Sequence, residues 1–103
     1  VEDNGTTPNN NDLIYSSQTS TITINGGTFI GNYENSANGT KYTLNKRDAD
    51  RETCALIVKG GTFKNFNPAD NLAEGKGTNF VATGFVSTPS TVDGATWYTV
   101  TAE

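Results

Sequence analysis

Side chains able to do chemistry are sparse in this chain. The densest group is Lys46-Arg47-Asp48-Ala49-Asp50-Arg51-Glu52, where six of its 18 Asp, Glu, Lys and Arg residues fall within seven positions. Asp48, Asp50 and Glu52 alternate, so on a strand they would share one face, and converging carboxylates are what calcium coordination or glycoside hydrolysis requires. Against this, Arg47 and Arg51 neutralise them in place, and the glycine turn and bidentate-glutamate spacing of an EF-hand loop are missing. A solvated charged loop is the simpler reading. Asp70 and Glu74 form a second carboxylate pair, but they sit between Pro68 and Gly75-Lys76-Gly77. There an exposed or structural role outweighs acid–base work. Cys54 is the only cysteine and histidine is absent. Cys/His zinc chemistry and an intrachain disulfide are thus excluded within one chain, and a nucleophilic thiol would lack its usual base. Cys54 reads as a small buried hydrophobe. Tyr15, Tyr33, Tyr42 and Phe66 could offer apolar ring faces to sugar rings, although scattered aromatics more often serve a core. The chain is expected to carry no catalytic residue, metal or cofactor and not to be an enzyme.

The elements that position these groups are written in a repeat. Ile22-Thr23-Ile24-Asn25-Gly26-Gly27-Thr28-Phe29 is echoed by Leu56-Ile57-Val58-Lys59-Gly60-Gly61-Thr62-Phe63, 34 residues later. Each copy reads as a short strand, a two-glycine bend and a second strand. Neither glycine pair has the lysine-serine or GxGxxG context of a phosphate loop, so Gly26, Gly27, Gly60 and Gly61 are assigned to turns, where glycine reaches φ values other residues avoid. Ile22 would lie over Leu56, Ile24 over Val58 and Phe29 over Phe63, forming a core stack. Self-similarity at a fixed period is the mark of stacked coils. The spacing therefore predicts an all-β domain built as a short β-solenoid, closed by a C-terminal capping strand or hairpin in which Trp97 and Tyr98 cover the last coil. A small β-sandwich is the alternative, because period-2 strands do not say whether sheets run parallel.

Residues 1–12 read as a polar arm or linker and 13–103 as the solenoid domain, expected to be the C-terminal part of a larger protein. A loop is expected over 34–39 and a strand over 41–45, within a longer outward insertion at 34–53. A single helical turn over 68–73 with Asn67 as N-cap is possible. Strand candidates follow at 79–82, 84–86 and 97–100, with Asp93-Gly94 as a turn pair. Asn4-Gly5-Thr6 and Asn38-Gly39-Thr40 match the N-glycosylation pattern, which matters only if the host glycosylates.

Composition agrees with short strands and many turns: Thr, Asn and Gly supply 41 of the 103 residues, against 33% hydrophobic, too little for the wide apolar stripes of a helical bundle. A net charge of −4 with the basic residues dispersed outside 46–52 argues against nucleic-acid or anionic-membrane binding. No apolar run is long enough to insert in a bilayer as a helix.

The blocks Thr43-Leu44-Asn45, Asp48-Ala49-Asp50-Arg51, Ile57 to Phe63, Phe66-Asn67-Pro68-Ala69-Asp70-Asn71, Asn79-Phe80-Val81-Ala82 and Trp97-Tyr98-Thr99-Val100 together resemble C-terminal segments of right-handed parallel β-helix proteins of intestinal bacteriophages and bacteria. The resemblance covers roughly residues 20–103. It implies a structural and adhesive module of a phage virion (tail fibre, tailspike or capsid-attached fibre) on the virion surface or otherwise extracellular, assembling as a homo-oligomer, often a trimer, and contacting host-surface glycans. The alternatives are a bacterial cell-surface β-helix adhesin and a polysaccharide-degrading enzyme using Asp48, Asp50 or Asp70.

Overall fold

The computed structural model describes residues 1–2, 12–32, 34 and 39–103. Asn4, Tyr33, Asn38, nearly all of the polar arm and most of the 34–39 loop fall outside the described residues. Eight strands form: β1 (Ile14–Ser16), β2 (Thr21–Ile24), β3 (Thr28–Ile30), β4 (Leu44–Lys46), β5 (Ala55–Val58), β6 (Thr62–Lys64), β7 (Phe85–Val92) and β8 (Ala95–Ala102), with one 3₁₀ turn at Asp48–Asp50 between β4 and β5.

The two glycine repeats pair side by side and parallel. Ile22 lies beside Leu56, Ile24 beside Val58 and Phe29 beside Phe63. Ile24, Phe29, Leu56, Val58 and Phe63 are buried and Ile22 packs half-buried against them. The glycines are needed where backbones approach closely. A Cβ on Gly60 would stand 2.3 Å from the Asn25 carbonyl oxygen, while Gly27 and Gly61 hold φ of 110° and 99° beside the Phe29 ring, backbone that side chains tolerate poorly.

The β-solenoid expected from this repeat is not what the chain builds. It is a small all-β domain of three separate sheets with mixed parallel and antiparallel strands: β1-β4, β2-β5, and the four-stranded β3-β6-β8-β7. No sheet curls or closes, and the extents of 33 × 32 × 23 Å are those of a compact body, as in the β-sandwich alternative, rather than of an elongated stack. Two physical reasons explain the departure. The repeat is not constant, since Ile14 pairs with Leu44 at a spacing of 30 whereas Thr21 pairs with Ala55 at 34. The extra four residues are the charged turn after β4. Beyond β6 the direction reverses, and the two longest strands form an antiparallel hairpin with β8 against β6. The tail-fibre and tailspike reading, which rested on an extended β-helix, loses its structural basis with it.

Several local expectations shift as well. The strand expected over 41–45 runs instead over Leu44–Lys46. Residues 79–82 make only a single parallel bridge, Val81 to Val58. The 68–73 stretch is not helical: Asn67 Oδ1 accepts from the Ala69 N–H at 3.0 Å, an Asx turn that competes with helix formation. The C-terminal strands are longer than expected because Asp93 and Gly94, at φ 50° and 80°, form the positive-φ two-residue turn that matches strand twist. Val1 and Glu2 run beside β3, where Val1 N donates to the Thr28 carbonyl and the Ile30 N–H to the Val1 carbonyl.

Trp97 and Tyr98 occupy opposite faces of β8. Tyr98 lies beside Phe63 on the inward face, and Trp97 lies outward between Lys64 and Ser90.

Candidate functional site

The β1-β4 pair builds an open cleft of about 480 Å³ lined by Asp12, Tyr15, Tyr42, Asn45, Arg47, Asp48 and Ala49. Strand alternation accounts for its centre. Ser16 and Leu44 are fully buried, so the intervening positions on β1 and β4, Tyr15 and Asn45, point outward. They are direct register partners. Just ahead of the strands, Asp12 and Tyr42 keep the same 30-residue offset and both line the cleft. Three positions before Tyr15 and Asn45 they would face the other way in a continuous strand, so the chain leaves strand geometry before Ile14 and Leu44, where Thr43 and Leu44 are buried in succession. Past β4 the chain enters the 3₁₀ turn, whose Arg47, Asp48 and Ala49 close the other end. Tyr15 is 46% exposed, leaving a ring face open to ligand.

Polar contacts fix the rim. Asn45 Nδ2 donates to Asp12 Oδ1 at 3.3 Å, while Asn45 Oδ1 is buried and accepts no hydrogen bond. Arg47 Nη1 is held by Asp50 Oδ2 at 3.3 Å, and the same oxygen accepts the Gln18 N–H at 2.7 Å. Asp48 projects into water and reaches Arg51 only at 3.7 Å, a separation worth little at an exposed site. Burial pushes the Asp12 carboxyl up from its ordinary value, partly offset by the Asn45 hydrogen bond. The Tyr15 hydroxyl is raised by desolvation and then by the Asp12 charge, with Arg47 acting the other way.

The structure separates the residues that the sequence analysis grouped. The turn at 48–50 is 3₁₀, not a strand, so Asp48, Asp50 and Glu52 do not share a face: Asp48 lines the cleft and Asp50 is committed to Arg47 and Gln18. Asp70 lies in a second open cleft of about 450 Å³ with Phe66, Leu72 and Tyr98. Of the four aromatics proposed for sugar stacking, Tyr15 and Tyr42 meet in the first cleft, Phe66 is buried at the edge of the second, and Tyr33 falls outside the described residues. Glu74 instead sits under the charged turn, with both carboxylate oxygens buried and Arg51 Nε at 3.7 Å. Cys54 is buried, its thiol directed at the Ser16 carbonyl at 3.6 Å. Among the described residues no three His, Cys, Asp or Glu side chains gather to hold a metal ion, and no helix is long and apolar enough to cross a membrane.

Sequence reasoning passed over Asp12 and Asn45. Asp12 reads as the end of the polar arm, and the 34-residue period of the glycine repeats hides the 30-residue offset that aligns it with Tyr42. The signal present in the sequence is the parallel between Asp12-Leu13-Ile14-Tyr15-Ser16 and Tyr42-Thr43-Leu44-Asn45-Lys46, 30 residues apart, with an apolar pair, Ile14 and Leu44, at the centre of each.

The chain matches no family model, no curated protein sequence and no solved structure. Fold and site together define a small all-β domain with an outward aromatic and acidic cleft.

Proposed function

We propose that this domain is an adhesive module that recognises glycans at a cell surface, in the manner of a surface adhesin. The observation that carries the reading is the meeting of Tyr15 and Tyr42 in one open cleft with Asp12, Asn45, Arg47 and Asp48 around them. Apolar ring faces stack on the C–H faces of pyranose rings, and a surrounding set of amide, carboxylate and guanidinium groups fixes hydroxyl orientation. An open cleft without buried walls suits reversible contact with a polymer chain better than enclosure of a small metabolite. Single sites of this kind bind weakly, and several copies held together multiply the effect. The homo-oligomer expected from the sequence, and an extracellular location, are part of this reading.

The test is a titration of the ¹⁵N-labelled protein with soluble oligosaccharides of several classes, followed by amide shifts. Shifts centred on residues 12–15 and 42–49 that are lost in Tyr15→Ala are expected. No perturbation by any oligosaccharide, or equal perturbation in Tyr15→Ala, overturns the proposal.

A further inference from the structure

We infer that the Tyr15–Asp12 cleft selects a cationic glycan, a polymer bearing free amino sugars, over neutral or acidic ones; this deepens, and rests on, the glycan reading above. The argument is an inventory of donors and acceptors. The cleft offers acceptors with spare capacity: the Asp12 carboxylate, which is bonded only through Oδ1 to Asn45, and the exposed Asp48 carboxylate. Its one guanidinium, Arg47, is drawn through Nη1 onto Asp50 at 3.3 Å, which offsets its charge. A ligand complementary to this rim must bring donors and positive charge. An ammonium group on a pyranose does both, pairing with Asp12 while the Tyr15 face takes the ring and adds a cation–π attraction.

Charge complementarity extends past the contact residues. The chain carries −4 overall, and Asp50 and Glu74 stand behind Arg47 and Arg51, so the positive groups next to the cleft are already compensated from below. A carboxylated or sialylated chain would meet Asp12 and Asp48 against a single lining cation, Arg47, whose charge Asp50 already offsets, a like-charge contact that selects against it. The raised Asp12 carboxyl fits the same picture, since burial leaves that group better served by a cationic partner than by water.

Isothermal titration calorimetry at low salt and mildly acidic pH, with the amine protonated, tests this using a glucosamine oligomer, its fully N-acetylated counterpart and a galacturonate oligomer of equal length. The glucosamine oligomer is expected to bind at least about 10-fold tighter than the acetylated one. The galacturonate oligomer should bind weakest, and the preference should shrink with added salt. Asp12→Asn should collapse the preference towards unity. Asp48→Asn, a change at an exposed side chain that leaves packing intact, should reduce it in part. Equal affinity for the amino and N-acetyl oligomers overturns the inference while leaving the glycan reading standing, as does an unchanged preference in both variants. A lysine peptide of the same charge binding as tightly also overturns it, because charge alone would then be read. Failure of all three oligosaccharides to bind overturns the inference and the glycan reading together.

Discussion

The rings of Phe29 and Phe63 stack with centroids 4.9 Å apart and planes 13° from parallel, joining two strands 34 positions apart in the chain. Phe63 is wholly buried and Phe29 nearly so. Phe63→Ala is expected to destabilise by about 3–5 kcal/mol. A double-mutant cycle with Phe29→Ala should return a coupling of about 0.5–1.5 kcal/mol, measured by urea unfolding. Additive effects would show that the stacked pair contributes area alone.

Gly60 and Gly26 occupy the same place in the two repeats and should respond in opposite ways. A Cβ at Gly60 meets Asn25 backbone, which cannot swing aside, whereas one at Gly26 meets nothing within 4 Å. Gly60→Ala should cost roughly 3 kcal/mol or force the strands apart. Gly26→Ala should range from neutral to a gain of about 1 kcal/mol through loss of unfolded-state freedom. Chemical denaturation of the two variants in parallel provides the check.

Glu74 ties stability to pH. Burial raises its carboxyl pKa, with nearby Asp48 adding to the effect and Lys46 and Arg51 opposing it. Both carboxylate oxygens are buried and accept no hydrogen bond, and Arg51 Nε stands 3.7 Å from one of them. The folded state therefore favours the protonated form more than the unfolded chain does. That contribution is complete below the ordinary glutamate range and is lost as pH rises through the raised native value. Glu74→Gln should accordingly raise Tm near neutral pH, and its advantage over the parent should vanish in acid. A larger advantage in acid than at neutrality would contradict this account.

Pro89 guards an open edge. Val100 N donates to the Gly61 carbonyl, Asn65 N to that of Thr96, and Glu103 N to that of Gly84, so even-numbered residues of β8 bond towards β6 and odd ones towards β7. By the register, β7 residues 86, 88, 90 and 92 face β8, and 87, 89 and 91 face outward. Proline thus costs no ladder bond there and withholds an N–H from any incoming strand. Pro89→Thr should increase concentration-dependent association over the parent in sedimentation velocity, with little change in Tm.

Much of the local structure was legible in the sequence. The glycine repeat implied which residues lie side by side, because a period in sequence translates directly into register when parallel strands pair. Alternation in Thr21–Ile24 and Ala55–Val58 marked which side chains turn inward, since strand geometry has a period of two whatever surrounds it. Tertiary structure decided the rest. Whether paired repeats continue into a solenoid depends on what the chain does after β6, and the turn at Asp93-Gly94 with the long β7–β8 hairpin competes for that edge through contacts distant in sequence. The cleft, too, belongs to tertiary structure. It requires Asp12 and Tyr15 to stand beside Tyr42 and Asn45 at an offset four residues shorter than the repeat, and only the folded register of β1 on β4 sets that offset.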